Sequence, residues 1–499
     1  MNNWNEGYVT DIAYTNGWYR QQSPAMMALA CTMGGVAMTM PAPDDSIHVL
    51  ELGCGQGYGA MVLAASNPAW QVTAIDFNPA HVAAARAWAT ESCLTNVTFL
   101  EANLATLAED AAGRQIPEAD FITMHGVWSW VPQAVQNGIV RLVRDKLRAG
   151  GAMHISYNAL PAWGPAIGMQ RIIREAGKRL ARRSDRQAEE GLTIVRSLLA
   201  AEAAQLDRSP FVKSMIGVLG NADVAYLAHE FMNEQWKPCF MADVAATLSD
   251  ARLEFASSSQ LTENFPTLML TPAQQKIMNT FDDPIMREMI KDTCVERALR
   301  HDVFVRGARR LGNAGRDAAL MDIVLGLNID PDDLPSAVDM PAGKAELNSK
   351  FYRPIVQALS QGPMRVRDLL ALPEVEGRRD NPAELVGMLV GLDIADVVLR
   401  PDAPPSAGAM HFNSVLAKRF AQSESLARPV GLASERAGSG VPATVLDLVI
   451  MERVRDGKPD MDALLHLIAP PAEHTDKMRE GLDRSLRQRM PILRRAGVF

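Results

Sequence analysis

The chain predicts an α/β protein in which a doubly wound sheet carries an inserted helical region and a smaller C-terminal domain. Three observations predict it. Strand and helix patterns alternate from residue 47 to residue 157, as crossover connections in a parallel sheet require. The segment from Ile47 to Gly59, Ile-His-Val-Leu-Glu-Leu-Gly-Cys-Gly-Gln-Gly-Tyr-Gly, reads as a buried strand entering a glycine-rich turn. From Trp163 to about Leu248 the pattern becomes almost wholly helical.

In chain order, residues 1–45 form an aromatic arm (Trp4, Tyr8, Tyr14, Trp18, Tyr19) followed by an apolar helix. Ser23-Pro24 supplies the helix start, a cap followed by a proline in the first turn. The apolar run Ala25 to Met40 is too short to span a bilayer comfortably, and no basic start marks a signal peptide. Residues 46–162 form the sheet domain: strands 47–52, 70–75, 97–101, 119–124 and 151–157, with helices 58–66, 79–92 and 132–148 between them. Residues 163–325 are the helical insertion, and the apolar runs at 253–257 and 302–306 can return to the same sheet as its last strands. Residues 326–499 read as a winged-helix-like domain that opens with a linker marked by prolines at 331, 335, 341 and 354 and carries its helices and short strand-like runs over 346–499. The Ala-Ser-Glu-Arg-Ala-Gly-Ser-Gly segment at 433–440 reads as an exposed loop.

Composition narrows the function classes. A chain of 499 residues needs more than one core. A formal charge of −8 gives no global drive towards nucleic acid or anionic membrane. Five scattered cysteines without a C-x-x-C pair suit reduced thiols in a cytoplasm, and no metal-ligand spacing is present, so no metal is expected. Residues 171–186 hold seven Arg or Lys against two acids; a solvated helix face is the first reading and a dock for an acidic protein the second. Met169, Ile172, Ile173 and Leu180 form an apolar stripe that needs a partner, either a second subunit of a homodimer or the site itself.

The glycine turn and two acids carry the ligand chemistry. Glu51 stands two residues before Gly53, and Asp76 closes the next strand 25 residues later. This arrangement binds the adenosine half of a cofactor in doubly wound sheets. Gly55, Gly57 and Ala60 also fit the dinucleotide register G-x-G-x-x-A, but Glu51 would repel a pyrophosphate and attract the ammonium of S-adenosylmethionine. Gly53, Gly55 and Gly57 let the backbone approach the ligand, and Asp76 accepts from its ribose hydroxyls. Phe77 flanks the adenine or packs in the core. Cys54 belongs to the turn, beside the cofactor, and is not read as a nucleophile.

Longer motifs extend this reading. The run Asp11-Ile-Ala-Tyr14-Thr-Asn-Gly-Trp18-Tyr19 with Ser23-Pro24, the Glu51-Leu-Gly-Cys-Gly turn and Asp76-Phe-Asn-Pro-Ala-His81 resemble bacterial class I methyltransferases. So do His125-Gly-Val-Trp128-Ser-Trp130-Val-Pro132 and Ser156-Tyr157-Asn158-Ala-Leu-Pro161. Tyr226-Leu-Ala-His229-Glu230-Phe-Met-Asn-Glu234 is similar to the methyltransferase regulatory domain of those that carry one, a group that includes rickettsial protein-lysine methyltransferases acting on outer-membrane proteins. The resemblance covers nearly the whole chain and implies a Rossmann-like sheet, S-adenosylmethionine as cofactor and a protein or small-molecule acceptor. Many such enzymes end the third strand with an aspartate facing the adenine amino group; here Asn103, followed by Leu104, keeps an acceptor oxygen without the charge.

Acceptor residues are expected at the carboxyl ends of strands four and five. Trp128 and Trp130 form either an aromatic wall for a cationic acceptor or packing beneath the arm. His125 is a hydrogen-bonding loop residue or a proton acceptor, and Tyr157 with Asn158 could orient an amine. Tyr14 and Tyr19 read as a lid over the donor or as a hydrophobic strap. The expected activity is methyl transfer from S-adenosylmethionine to protein lysine. A small-molecule or glycan methyltransferase is the alternative, and a DNA-binding regulator with a vestigial cofactor domain comes from another class. The sequence pI of about 5.7 and the lack of a basic C-terminal stripe speak against nucleic acid.

Overall fold

A computed structural model describes residues 7–12, 16–42, 45–219, 223–377, 379–455, 457, 460–468 and 475–499. Trp4 and Tyr14 lie outside the described residues. Seven strands form the central sheet: β1 His48–Leu52, β2 Gln71–Asp76, β3 Val97–Glu101, β4 Ala119–Met124, β5 Leu147–Asn158, β6 Leu253–Ser258 and β7 Leu299–Arg306. Their order is β3-β2-β1-β4-β5-β7-β6. The order reverses between β1 and β4, which opens a crevice at the carboxyl ends of those two strands.

The sheet is mixed, which corrects the wholly parallel expectation. The strands from β1 to β5 pair in parallel, while β7 runs antiparallel to both β5 and β6. β7 enters after the helix Pro284–Cys294 and fills the gap between β5 and the edge strand β6. Such a non-local pairing leaves no trace in local periodicity.

Apolar patterning explains the layers. The helix Pro24–Met33 buries all ten of its residues, with Ser23 Oγ capping the Met26 N–H at 3.2 Å. It shares one face of the sheet with the helices Tyr58–Ser66 and Pro79–Glu91. The other face is covered by Gln133–Lys146 and Met241–Ser249. The inserted helices Ile167–Leu180, Ser184–Ala200 and Pro210–Leu219 build a core of their own from Met169, Ile173, Leu192, Val195, Val212 and Ile216. Most of the apolar stripe therefore meets helices of this chain, although Leu180 stays 57% exposed. Basic residues nearby pair along the surface, Arg171 and Arg179 with Glu175, Arg186 with Glu189 and Lys178 with Glu234.

The C-terminal part holds a three-stranded antiparallel sheet of residues Val324–Leu327, Met364–Arg365 and Ala395–Val397, with helices Ser349–Leu359 and Pro382–Gly391. A hairpin, Pro429–Ser434 with Ser439–Thr444, packs on the helix Tyr58–Ser66. Tyr58 Oη donates to Gly431 O at 2.9 Å, and Ser66 Oγ donates to Ser439 O at 3.0 Å. Segment 433–440 is thus part of a mostly buried hairpin and not an exposed loop. Its small residues allow close packing, since Trp18 sits where a side chain at Gly431 or Gly440 would stand.

Candidate active site

The crevice at the carboxyl ends of β1, β2 and β4 is a cavity roofed by the N-terminal arm. Glu51, Gly53, Cys54, Gly55, Asp76, Phe77, Asn103, Leu104, His125 and Trp130 line its floor and walls. Tyr8, Asn16, Gly17, Tyr19 and Gln22 form the roof. Among the described residues, no lysine or arginine lines it.

The turn after β1 is shaped by its glycines. Gly53 has φ +75°, and a Cβ there would stand 2.3 Å from Val127 Cγ2. Gly57, at φ +77°, caps the helix Tyr58–Ser66; it lies against Phe99 and outside the cavity, so its part is in the turn and not in the lining. Gly55 donates its N–H to Asp76 Oδ2 at 2.8 Å, and Asn78 N–H donates to Asp76 Oδ1 at 2.9 Å. Asn78 caps the following helix through Ala80 N–H, yet its own N–H uses the aspartate. His81 Nδ1 stands 3.4 Å from Asp76 Oδ1. Asp76 is therefore held rigidly while keeping acceptor capacity towards the cavity.

Glu51 is the sharpest electrostatic feature. It is 6% exposed; Oε1 accepts from Gln22 Nε2 at 3.5 Å, and Oε2 is buried without a hydrogen-bond partner. Burial pushes its carboxyl up to about 7. Burial likewise raises the Cys54 thiol well above its ordinary range, so the sulfur stays protonated and is a poor nucleophile. Asn103 Oδ1 accepts from Ala105 N–H at 2.8 Å.

Behind the wall lies a chain of polar groups. His125 stacks on Tyr19 with centroids 3.5 Å apart, and its Nδ1 is 2.9 Å from Ser156 Oγ. Gln22 Nε2 donates to Thr123 Oγ1 at 3.1 Å, Thr123 meets His154 Nδ1 at 3.3 Å, and His154 Nε2 meets His301 Nδ1 at 3.3 Å. Burial first, and His301 second, lower the pKa of His125 well below its ordinary value, so this imidazole is neutral.

Three expected acceptor residues are not brought to the cavity. Residues Trp128–Trp130 form a 3₁₀ turn, where positions two apart point in different directions. Trp130 reaches the cavity, whereas Trp128 turns into the core, 2% exposed. On β5, neighbours alternate between faces. Tyr157 points away into the core, fully buried, donating its hydroxyl to Asp302 at 2.6 Å. Asn158 is 3% exposed, and its backbone N–H donates to Ser129 Oγ at 2.9 Å. Sequence reasoning did not assign Tyr8, Gln22 or His81 to the site. His81 was signalled by its place one turn into the helix behind Asp76; Gln22 and Tyr8 needed the path of the arm.

Comparison with known proteins adds the following. A methyltransferase domain matches residues 49–151, and a predicted methyltransferase regulatory domain matches residues 223–306. An uncharacterized protein of Synechocystis is 30% identical over 462 residues, covering 91% of this chain and 89% of the relative. An uncharacterized protein of Rickettsia prowazekii is 21% identical over 345 residues, covering 68% of this chain and 60% of that one. Among solved structures, PKMT2 from Rickettsia typhi in complex with AdoHcy matches with a TM-score of 0.70 at 16% identity, over 96% of this chain and 99% of that one.

Proposed function

The chain belongs to the S-adenosylmethionine-dependent methyltransferases that carry a methyltransferase regulatory domain, and from that membership we propose that it methylates an amine, the side chain of a protein lysine. The observation that carries the reading is the charge of the cavity. Glu51 buries an oxygen without a partner, Asp76 ends the neighbouring strand, and no lysine or arginine of the described residues lines the walls. A pyrophosphate would meet two carboxylates and no cation, whereas a ligand with an ammonium and a sulfonium offsets them.

These residues fit the donor. Glu51 would hold its ammonium, Asp76 its ribose hydroxyls, and Phe77, Asn103 and Leu104 would surround the adenine. When bound, the donor supplies a methyl group on a sulfonium that leaves as a neutral thioether. The protein's work is then alignment and exclusion of water. Tyr19, Asn16, Gly17 and Gln22 close the roof, and Trp130 and His125 flank the place where an acceptor meets the methyl. A lysine amine, ordinarily near a pKa of about 10.4, must arrive deprotonated. Burial against Trp130 and Tyr19 lowers that value by desolvation, so the amine sheds its proton to water as it enters, and His125 stands beside it as a neutral ring. The fold likeness to PKMT2 supports a lysine acceptor.

The closed roof favours one second reading, a small-molecule acceptor. We read the C-terminal part as winged-helix-like, and because its hairpin is buried against the sheet domain we give it a structural role. Incubating the protein with radiolabelled donor and fractionated lysate decides between the acceptors. Label in protein, hydrolysed to methylated lysine, supports the proposal; label confined to small molecules contradicts it.

A further inference from the structure

The regulatory match spans residues 223–306, so β7 and its His301 fall within it. His301 lies at the far end of the buried polar chain that starts at Glu51, and the hydrogen bonds of that chain run in one direction. Gln22 Nε2 is 3.5 Å from Glu51 Oε1 and 3.1 Å from Thr123 Oγ1, so the amide donates one N–H to each. Thr123 accepts from Gln22, and its hydroxyl proton donates to His154 Nδ1 at 3.3 Å. That leaves the His154 proton on Nε2, which donates to His301 Nδ1 at 3.3 Å. Burial lowers the pKa of both rings, which favours the neutral forms this pattern needs.

The direction matters to the donor site. A Gln22 amide turned end for end would set its oxygen against the Glu51 carboxylate and oppose the charge that attracts an ammonium. Thr123 prevents the turn: with its proton committed to His154, it can only accept from Gln22. His154 is held in its tautomer by the acceptor nitrogen of His301. Without that acceptor the imidazole can carry its proton on Nδ1 and donate to Thr123, whose hydroxyl is then free to donate to the Gln22 oxygen. Thr123 and His154 are fully buried, so water does not stand in for a lost partner.

We propose that Thr123, His154 and His301 are positioning residues that hold the Gln22 amide with its N–H groups towards Glu51, so that the regulatory segment, through His301, sets the grip of the donor site on the donor's ammonium. The inference rests on the reading of Glu51 as the partner of that ammonium and adds what keeps the carboxylate ready for it. Gln22 and Glu51 line the cavity; Thr123, His154 and His301 do not, and they act through Gln22.

The test is calorimetry on the full chain with two probes, S-adenosylhomocysteine and the same molecule lacking its α-amino group. In the wild type the ammonium should improve affinity by about tenfold. Thr123→Val, similar in shape but without the hydroxyl, should cut that gain by about threefold and leave the deaminated probe within about twofold. Thr123→Ser, which restores the hydroxyl, should keep the gain. His301→Phe keeps a ring beside His125 and His154, whose centroids lie 5.4 and 5.5 Å away, and should cut the gain as Thr123→Val does. In the unaltered protein, nitrogen-15 spectra of labelled histidines should show the His154 proton on Nε2. A gain that survives Thr123→Val or His301→Phe, equal losses for both probes, or a His154 proton on Nδ1 overturns the proposal. The reading of Glu51 fails separately: a wild type without the ammonium gain, or a Glu51→Gln variant that keeps it, removes that reading and the inference with it. Loss of the gain in Glu51→Gln beside its survival in Thr123→Val strikes the inference alone.

Discussion

Glu51 contributes to the pH response of the free protein. Burial raises its carboxyl from 4.5 to about 7, so across that window the folded chain holds more proton than the unfolded one. The contribution of this group to stability is therefore fully present below about pH 4.5 and lost as pH rises through about 7, on the order of 3 kcal/mol in all. Thermal melts should show the wild type losing ground to Glu51→Gln between about pH 5 and 8; parallel melts would mean that the carboxylate is not buried unpaired. The two tryptophans should separate cleanly. Trp128→Ala should cost about 3–5 kcal/mol of stability by leaving a core cavity, whereas Trp130→Ala should lower turnover on a lysine acceptor by about tenfold or more with a smaller stability loss. Denaturant titration and single-turnover kinetics check the pair. The glycine turn, Glu51 and Asp76 were legible in the sequence because a strand, a turn and a second strand fix them locally. Trp128 and Tyr157 were misplaced because side-chain direction depends on turn type and strand parity. Parity was available, since Ser156 and Asn158 must share the face that Tyr157 avoids.

At the scale of elements, β7 and the helix Pro284–Cys294 are joined by a buried ionic cluster. Arg300, fully buried, meets Asp292 at 2.8 Å, Glu288 at 2.9 Å and Asp302 at 2.8 Å, and Arg297 meets Glu263 at 2.9 Å. Removing one member strands the others. Arg300→Ala should destabilise the protein by about 3–5 kcal/mol. Tyr157→Phe, which removes only the hydroxyl donated to Asp302, should cost about 1–2 kcal/mol and leave turnover unchanged below the melting range. A Tyr157→Phe variant that keeps full stability but loses turnover would return the residue to the active site. The alternation of strands and helices up to residue 158 was readable from apolar periodicity, as was the return of two late strands. The slot that β7 takes, antiparallel between β5 and β6, was not, because pairing across more than 140 residues is set by the tertiary fit of this cluster.

Over the whole molecule, the arm is held by two distant parts of the chain while it roofs the cavity. Residues 7–12 bond to the segment around His229 and Glu234, and Arg20 pairs with Asp393 and Asp396 of the C-terminal part. Trp18 sits in the gap that Gly431 and Gly440 leave in the buried hairpin. The arm and the C-terminal domain read as separate pieces in the sequence; the seating of the arm over the cavity draws on contacts more than 370 residues apart. The roof of the cavity is thus anchored by distant parts of the chain, and intact protein is the right material to test the site. The most direct measurement is calorimetric titration of the full chain with S-adenosylhomocysteine, beside Asp76→Ala under the same conditions. The predicted result is one site in the wild type and a loss of about 1.5–3 kcal/mol in the folded variant, from hydrogen bonds to a charged acceptor. No binding by the wild type, unchanged affinity in Asp76→Ala, or tight binding of NADH in its place would contradict the account.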